Sequence, residues 1–187
     1  MALHKQQTLV ERARAFATAA HAKVGQRRKY TDEPYITHPE AVVAILKTVP
    51  HTPEMLAAAW LHDVVEDAGV EIGKIRDEFG DATATLIAWV TNVSKPSDGD
   101  RAARVAIDRA HLAHAPAEAQ TVKLADVIDN TATIRERDPA FAAIYLLEKA
   151  ELLKVLTIGD PDLLKRAWDQ IGSGSQQRLG PWVSERD

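Results

Sequence analysis

"AAAWLHDVVEDAG", residues 57–69, sets four titratable side chains into a run otherwise built from Ala, Leu, Val and Trp. Read as a helix at about 100° per residue, with His62 taken as 0°, it puts Glu66 near 40°, Asp63 near 100° and Asp67 near 140°. Ala57, Ala58, Leu61, Val64 and Val65 take the opposite arc, so an apolar seam lies behind one polar side. A solvated helix face normally mixes charge signs. This one carries three carboxylates and an imidazole, with no base. Anions at that spacing repel by roughly 1 kcal/mol or more unless a cation sits among them. The arrangement asks for a metal ion, and His62-Asp63 alone cannot fill its shell.

Two other segments offer partners. In "ITHPEAV" (36–42), His38 precedes Pro39, and proline suits the first turn of a helix, which fixes the imidazole at a helix entrance. In "TVKLADVIDNTATI" (121–134), helical periodicity brings Lys123, Asp126 and Asn130 toward one face and turns Asp129 roughly 100° away from Asn130. Asp126 is flanked by Leu124, Ala125, Val127 and Ile128, and a carboxylate buried in that company needs a partner. A metal ion is one candidate; Lys123 or an arginine is the other.

The rest of the chain is consistent with a single all-α bundle. The 187 residues suffice for one sizeable core. Period-3.6 patterning prevails and no alternating strand appears, so we expect roughly eight to ten helices, near 8–24, 39–48, 53–67, 71–79, 81–93, 100–114, 117–130, 138–158 and 161–171. Thr52-Pro53, Asp138-Pro139 and Asp160-Pro161 are cap-plus-proline starts, and Gly80 divides two short helices. Residues 1–171 are expected to form the domain and 172–187 a mobile tail. Residues 25–39 are basic and then extended, and 92–104 form a loop broken by Pro96 and Gly99.

Composition excludes several functions. A formal net charge of −4 offers no global field for nucleic acid or an anionic membrane, so an anionic ligand must be held by a local cluster such as "QRRK" (26–29). With no cysteine, disulfides, Cys-type zinc sites and thiol nucleophiles are excluded. The first residues show no apolar signal core and no run reaches membrane-span length, so a soluble, cytoplasmic protein is expected.

"AAHAKVGQRRK", "EPYITHP", "AAAWLHDVVEDAG", Phe79-Gly80, Val90-Thr91 and "VKLADVIDN" follow one another across most of the chain. Together they resemble the HD-domain metal-dependent phosphohydrolases, specifically the (p)ppGpp hydrolase domain of the RelA/SpoT homologues in its stand-alone form, the small alarmone hydrolases. The resemblance implies an HD bundle in which His38, His62, Asp63 and Asp126 hold one Mn²⁺ ion. It implies that Glu66 and Asp67 activate water and handle protons, and that Arg28, Lys29, Asn130 and Tyr145 contact the nucleotide, with Glu148 a weaker contact. Lys95 and Arg101, in the 92–104 segment, are further candidates to close over phosphates.

The implied reaction removes the 3′-pyrophosphate of ppGpp or pppGpp, giving GDP or GTP and pyrophosphate. The chain is too short for the synthetase and regulatory domains of the long enzymes, so it would only degrade the signal. Its partner would be a small-molecule nucleotide, with neither nucleic acid nor membrane; a homo-oligomer is left open. Two other readings compete: the same chemistry on adenosine alarmones, (p)ppApp, or another 3′-phosphorylated nucleotide, and a non-catalytic metal- and nucleotide-binding sensor. The intact ligand set and the retained Glu66-Asp67 pair count against the sensor. The departures from the family pattern, Tyr30 and Asp32 in "RKYTDEPY" where the family often reads "RKSGEPY", Val127, and Phe141 one turn before Tyr145, surround the substrate rather than the metal.

Overall fold

In the computed structural model, which describes residues 7–172, every side chain from Met55 to Leu61 is buried. That run is α3 (Pro53–Leu61), opened by Pro53 and by Thr52, whose hydroxyl accepts from the Met55 amide at 3.2 Å. Before it lie α1 (Leu9–Lys23), started by a reciprocal Thr8–Glu11 capping box, and α2 (Thr37–Leu46). After it come α4 (Val64–Asp67), α5 (Ile72–Phe79) and α6 (Asp81–Val90), the last two divided by Gly80 at φ 87°. A 3₁₀ turn (Pro96–Asp98) leads to α7 (Arg101–Leu112), capped by Asp100. Then follow α8 (Ala117–Thr131), α9 (Ile134–Arg137), α10 (Pro139–Leu153), capped by Asp138, and α11 (Pro161–Gly172). Nine of these helices have eight or more residues, as the periodicity predicts, and no strand occurs among the described residues. The expected tail, apart from Gly172, lies outside the described residues.

Helix α8 is the axis of the bundle, with α2, α3, α6 and α11 packed around it. Val122, Leu124, Ala125, Val127 and Ile128 are all buried, and side chains of Leu or Ile size each gain about 1.5–3 kcal/mol from burial. On the far side of α3, Ala57, Ala58 and Ala59 let it approach Ala13 and Ala17 of α1 closely. None of the described helices is long and apolar enough to cross a membrane.

Three local expectations change. The single helix expected over 53–67 breaks at His62-Asp63, because the His62 ring bonds the Ala59 carbonyl at 2.9 Å, the acceptor the Asp63 amide would use in an uninterrupted ladder. Both residues keep right-handed helical dihedrals, so the azimuths of the polar side chains survive the break. Helix α10 stops at Leu153 rather than 158, as the chain turns back to dock on α8. The single turn α9 was not expected.

That docking depends on buried Gln120. Its amide donates to the Leu112 and Ala115 carbonyls, and its oxygen accepts from the Ile158 amide at 3.1 Å. Gln120→Met is expected to lower unfolding free energy by about 2–3 kcal/mol, because it strands these groups in the interior. Urea denaturation checks this, and an unchanged midpoint would refute the clamp.

Candidate active site

Four side chains from three segments meet at the waist of the bundle. His38 comes from the first turn of α2, His62 and Asp63 from the break between α3 and α4, and Asp126 from the middle of α8. His38 Nε2 lies 3.2 Å from His62 Nε2, 3.2 Å from Asp126 Oδ1 and 3.5 Å from Asp63 Oδ2. His62 Nε2 lies 3.1 Å from Asp63 Oδ2 and 3.7 Å from Asp126 Oδ1. The outward ring nitrogens explain the inward ones. His38 Nδ1 donates to Asp129 Oδ2 at 2.6 Å and His62 Nδ1 to the Ala59 carbonyl, which leaves both Nε2 atoms as bare lone pairs in the neutral rings. Two lone pairs and two carboxylate oxygens pointed at one spot are favourable only around a cation. The chemistry of this donor set fits a divalent metal ion, and the donor atoms of His38, His62 and Asp126 all lie within 4.8 Å of one another.

The electrostatics agree. Burial disfavours charge on His38 and His62, yet carboxylates raise both rings above their ordinary value, Asp126 and Asp129 acting on His38 and Asp63 and Asp126 on His62. Burial likewise opposes the ionised carboxyls, but Lys123 and the two imidazoles hold Asp126 well below the usual carboxylate range. A field that holds protons on buried imidazoles also attracts a metal ion.

Asp126 takes the lysine partner that the sequence offered and keeps one oxygen for the centre. Its Oδ1 faces the histidines and accepts from Asn130, while its Oδ2 accepts from half-buried Lys123 at 2.8 Å. Glu66 accepts from the Asn92 amide at 2.7 Å and from the Asn92 side chain at 2.8 Å. Asp67 accepts from Gln26 instead, at 2.8 Å, so the adjacent carboxylates are anchored by different loops. Partial desolvation raises the Glu66 carboxyl above its ordinary value, against the Asn92 amide and Lys123.

Two cavities lie beside this centre, one at the Asn130 end and one at the Lys123 end of the Lys123–Asp126–Asn130 row. One, of about 160 Å³, is lined by Arg28, Lys29, Tyr30, Tyr35 and Asn130 among others. The other, of about 520 Å³, has Glu66 and Lys123 in its wall. Arg28 is tied to Asp129 at 2.9 Å, and Lys29 lies over the Tyr30 and Phe141 rings. Tyr145 is half-buried and stacked on Phe141. Lys95 is exposed and lines neither cavity. Arg101 is engaged by Glu148 in a bidentate pair at 2.7 and 2.8 Å. The start of the 92–104 loop is pinned, because Asp108 accepts from the Val93 and Ser94 amides and from the Ser94 hydroxyl. Asp32 sits at φ 56°, a left-handed position that Asp tolerates better than most residues, which accounts for a non-glycine residue in this turn.

Sequence reasoning missed Asp129 and Tyr35. Asp129 is one turn after Asp126, on the other flank from Asn130, and it fixes the His38 tautomer. Tyr35, three residues before His38, donates to Asp63 at 2.6 Å. The spacings were the available signal: each orienting residue lies three positions from a ligand.

An all-α bundle with a His/Asp centre suited to a divalent cation and flanked by two cavities defines a class of metal-binding helical domain. The HD-domain family model matches residues 13–150, and the chain belongs to that family. It is 45% identical over 87 residues to a Synechocystis protein named "Probable guanosine-3′,5′-bis(diphosphate) 3′-pyrophosphohydrolase", covering 46% of this chain and 11% of that protein. It is 37% identical over 129 residues to a Streptomyces coelicolor "GTP pyrophosphokinase", covering 68% of this chain and 15% of that protein. The chain therefore spans between 11% and 15% of the length of these curated relatives. A solved structure titled "A metazoan ortholog of SpoT hydrolyzes ppGpp and plays a role in starvation responses" shares the fold. The TM-score is 0.79 at 24% identity, with 95% of this chain and 100% of that chain covered.

Two measurements test the centre. Saturating divalent ion, at about 100 times its Kd, should raise unfolding free energy by about 2.7 kcal/mol in the wild type and not in His62→Ala. Asp129→Ala should weaken the ion by roughly 10- to 100-fold in titration calorimetry, since His38 loses the partner that sets its tautomer. Equal affinity would show that Asp129 has no part in the centre.

Proposed function

We propose that the chain is a cytoplasmic metal-dependent phosphohydrolase that removes the 3′-pyrophosphate of guanosine alarmones, taking ppGpp or pppGpp to GDP or GTP and pyrophosphate, with one Mn²⁺ ion. The observation that carries the reading is the convergence of His38, His62, Asp63 and Asp126, with the Glu66 carboxylate at the mouth of the adjoining cavity. A mixed nitrogen and oxygen donor set suits Mn²⁺. Such an ion, when bound, polarises a phosphoryl group and lowers the pKa of a water.

The chain's own residues supply the rest. Glu66 lies one turn from His62 and is held in place by Asn92, which suits it to orient a water and take its proton. Its raised pKa moves it toward the range a base needs near neutral pH. Asp67, steadied by Gln26, is the second proton-handling carboxylate. Arg28, Lys29, Asn130 and Tyr145 are the nucleotide contacts, the first three of them in the wall of the smaller cavity. The names of the Synechocystis relative and of the metazoan structure support the guanosine substrate, and the retained ligands and Glu66 speak against a silent sensor.

The test incubates purified protein and Mn²⁺ with ppGpp and, in parallel, ppApp, and resolves the products by ion-exchange chromatography. Release of GDP and pyrophosphate is expected, abolished in His62→Ala. Glu66→Gln should lower kcat by about 10²- to 10⁴-fold while Mn²⁺ still binds. Turnover of ppApp alone would move the substrate and keep the chemistry. No turnover of either, with metal bound, would overturn the hydrolase reading.

A further inference from the structure

The larger cavity holds cations that the fold does not use. Arg101, Arg104, Arg109, Lys123 and Lys149 line it, with Glu66, Asp108 and Glu148 as the carboxylates. Each carboxylate already has a partner: Glu66 has Asn92, Asp108 the Val93–Ser94 turn, and Glu148 the Arg101 guanidinium. Lys123 is committed to Asp126, and Arg109 faces Glu151 at 3.9 Å. Arg104 and Lys149 have neither a carboxylate nor a hydrogen-bond acceptor among the described residues. The Lys149 ammonium lies 4.8 Å from the centre of the Tyr145 ring, a contact that positions it without neutralising it.

Two unpaired cations inside a concave, partly desolvated wall are costly in a protein that carries net negative charge. Burial and the nearby Lys123 push the Lys149 ammonium down to about 8, against the pull of Asp126 and Glu148. Glu66 and Lys123 line the cavity, and Lys123 is bonded to Asp126, so this wall adjoins the His/Asp centre. The Arg28 cavity, at the other end of the row, holds no comparable surplus, since Arg28 is spent on Asp129 and Lys29 on Asp138.

We propose that Arg104 and Lys149 form a polyphosphate subsite, which grips a nucleotide phosphate chain extending away from the reacting phosphorus. This rests on the reading that the metal centre takes a nucleotide phosphate. Two chains of one molecule have that chemistry, the 5′-polyphosphate and the outer phosphate of the scissile 3′-pyrophosphate, and the subsite serves one of them.

The experiment compares wild type, Arg104→Met and Lys149→Met, loaded with Mn²⁺, on guanosine 3′-diphosphates carrying none, one, two or three phosphates at the 5′ position. Each variant should raise KM by roughly tenfold on its anchored substrate, the loss expected for one charge-assisted hydrogen bond, with little effect on kcat. A loss that grows with each added 5′-phosphate assigns the 5′ chain. An equal loss across the series assigns the scissile pyrophosphate. Lys149→Arg should recover most of the affinity, and circular dichroism checks that the variants fold.

A second readout does not need turnover. Inorganic triphosphate titrated into the Mn²⁺-loaded proteins should bind the wild type roughly tenfold more tightly than either Met variant. Equal triphosphate affinity and unchanged KM in the variants would overturn the subsite. If the wild type hydrolyses none of the nucleotides, the hydrolase reading fails, and the triphosphate titration still decides the subsite by itself.

Discussion

The Asp126 carboxylate carries the constraint on which the rest of the structure depends. It sits in the middle of α8, the axis of the bundle, where an unpaired charge would cost several kcal/mol. One oxygen meets the Lys123 ammonium and the other faces the histidines. Lys123 lies one turn before it, so a single helix supplies both the charge and its compensation. The ligand is held without a loop. Helices α2 and α3 then bring His38 and His62 against its free oxygen, and their packing on α8 turns a core contact into a cation site.

Around these ligands, each orienting contact is short and most come from a different element. Asp129 fixes His38, the Ala59 carbonyl fixes His62 and Tyr35 fixes Asp63. Asn92 and Gln26 steady Glu66 and Asp67. Positions fixed in this way need little rearrangement when a ligand arrives, which is the structural content of preorganisation. The break after Leu61 belongs to the same scheme. His62 takes a backbone acceptor for its ring, and the helix loses one rung to gain a fixed tautomer.

The helices and the four side chains that converge at the centre were legible in the sequence because both are local signals. Periodicity, caps and prolines depend on neighbours within a turn or two, and the His38, His62-Asp63 and Asp126 segments each carried their chemistry in a few residues. What escaped was set by contacts between elements. Asp129 looked misdirected while Asn130 was the reference, since the azimuth of a side chain does not say which helix packs beside it. The same holds for Lys149, whose place in a cavity depends on how α10 lies against α7 and α8. The break at His62 was invisible because the period runs through it undisturbed.

The distribution of charge also implies a coupling between the two binding events. The centre itself is ringed by Asp63, Glu66, Asp67, Asp126 and Asp129, while the surplus cations sit in the larger cavity at Arg104 and Lys149. A phosphate drawn toward those cations meets carboxylates at the point where it would react, and like charges in that partly buried setting repel strongly. A divalent ion among the carboxylates removes that repulsion. On the proposed function, ion and nucleotide would be linked ligands, each strengthening the other by the same factor, as reciprocity requires. On this argument the basic walls determine where the nucleotide lies, and the acidic floor makes its binding conditional on the metal.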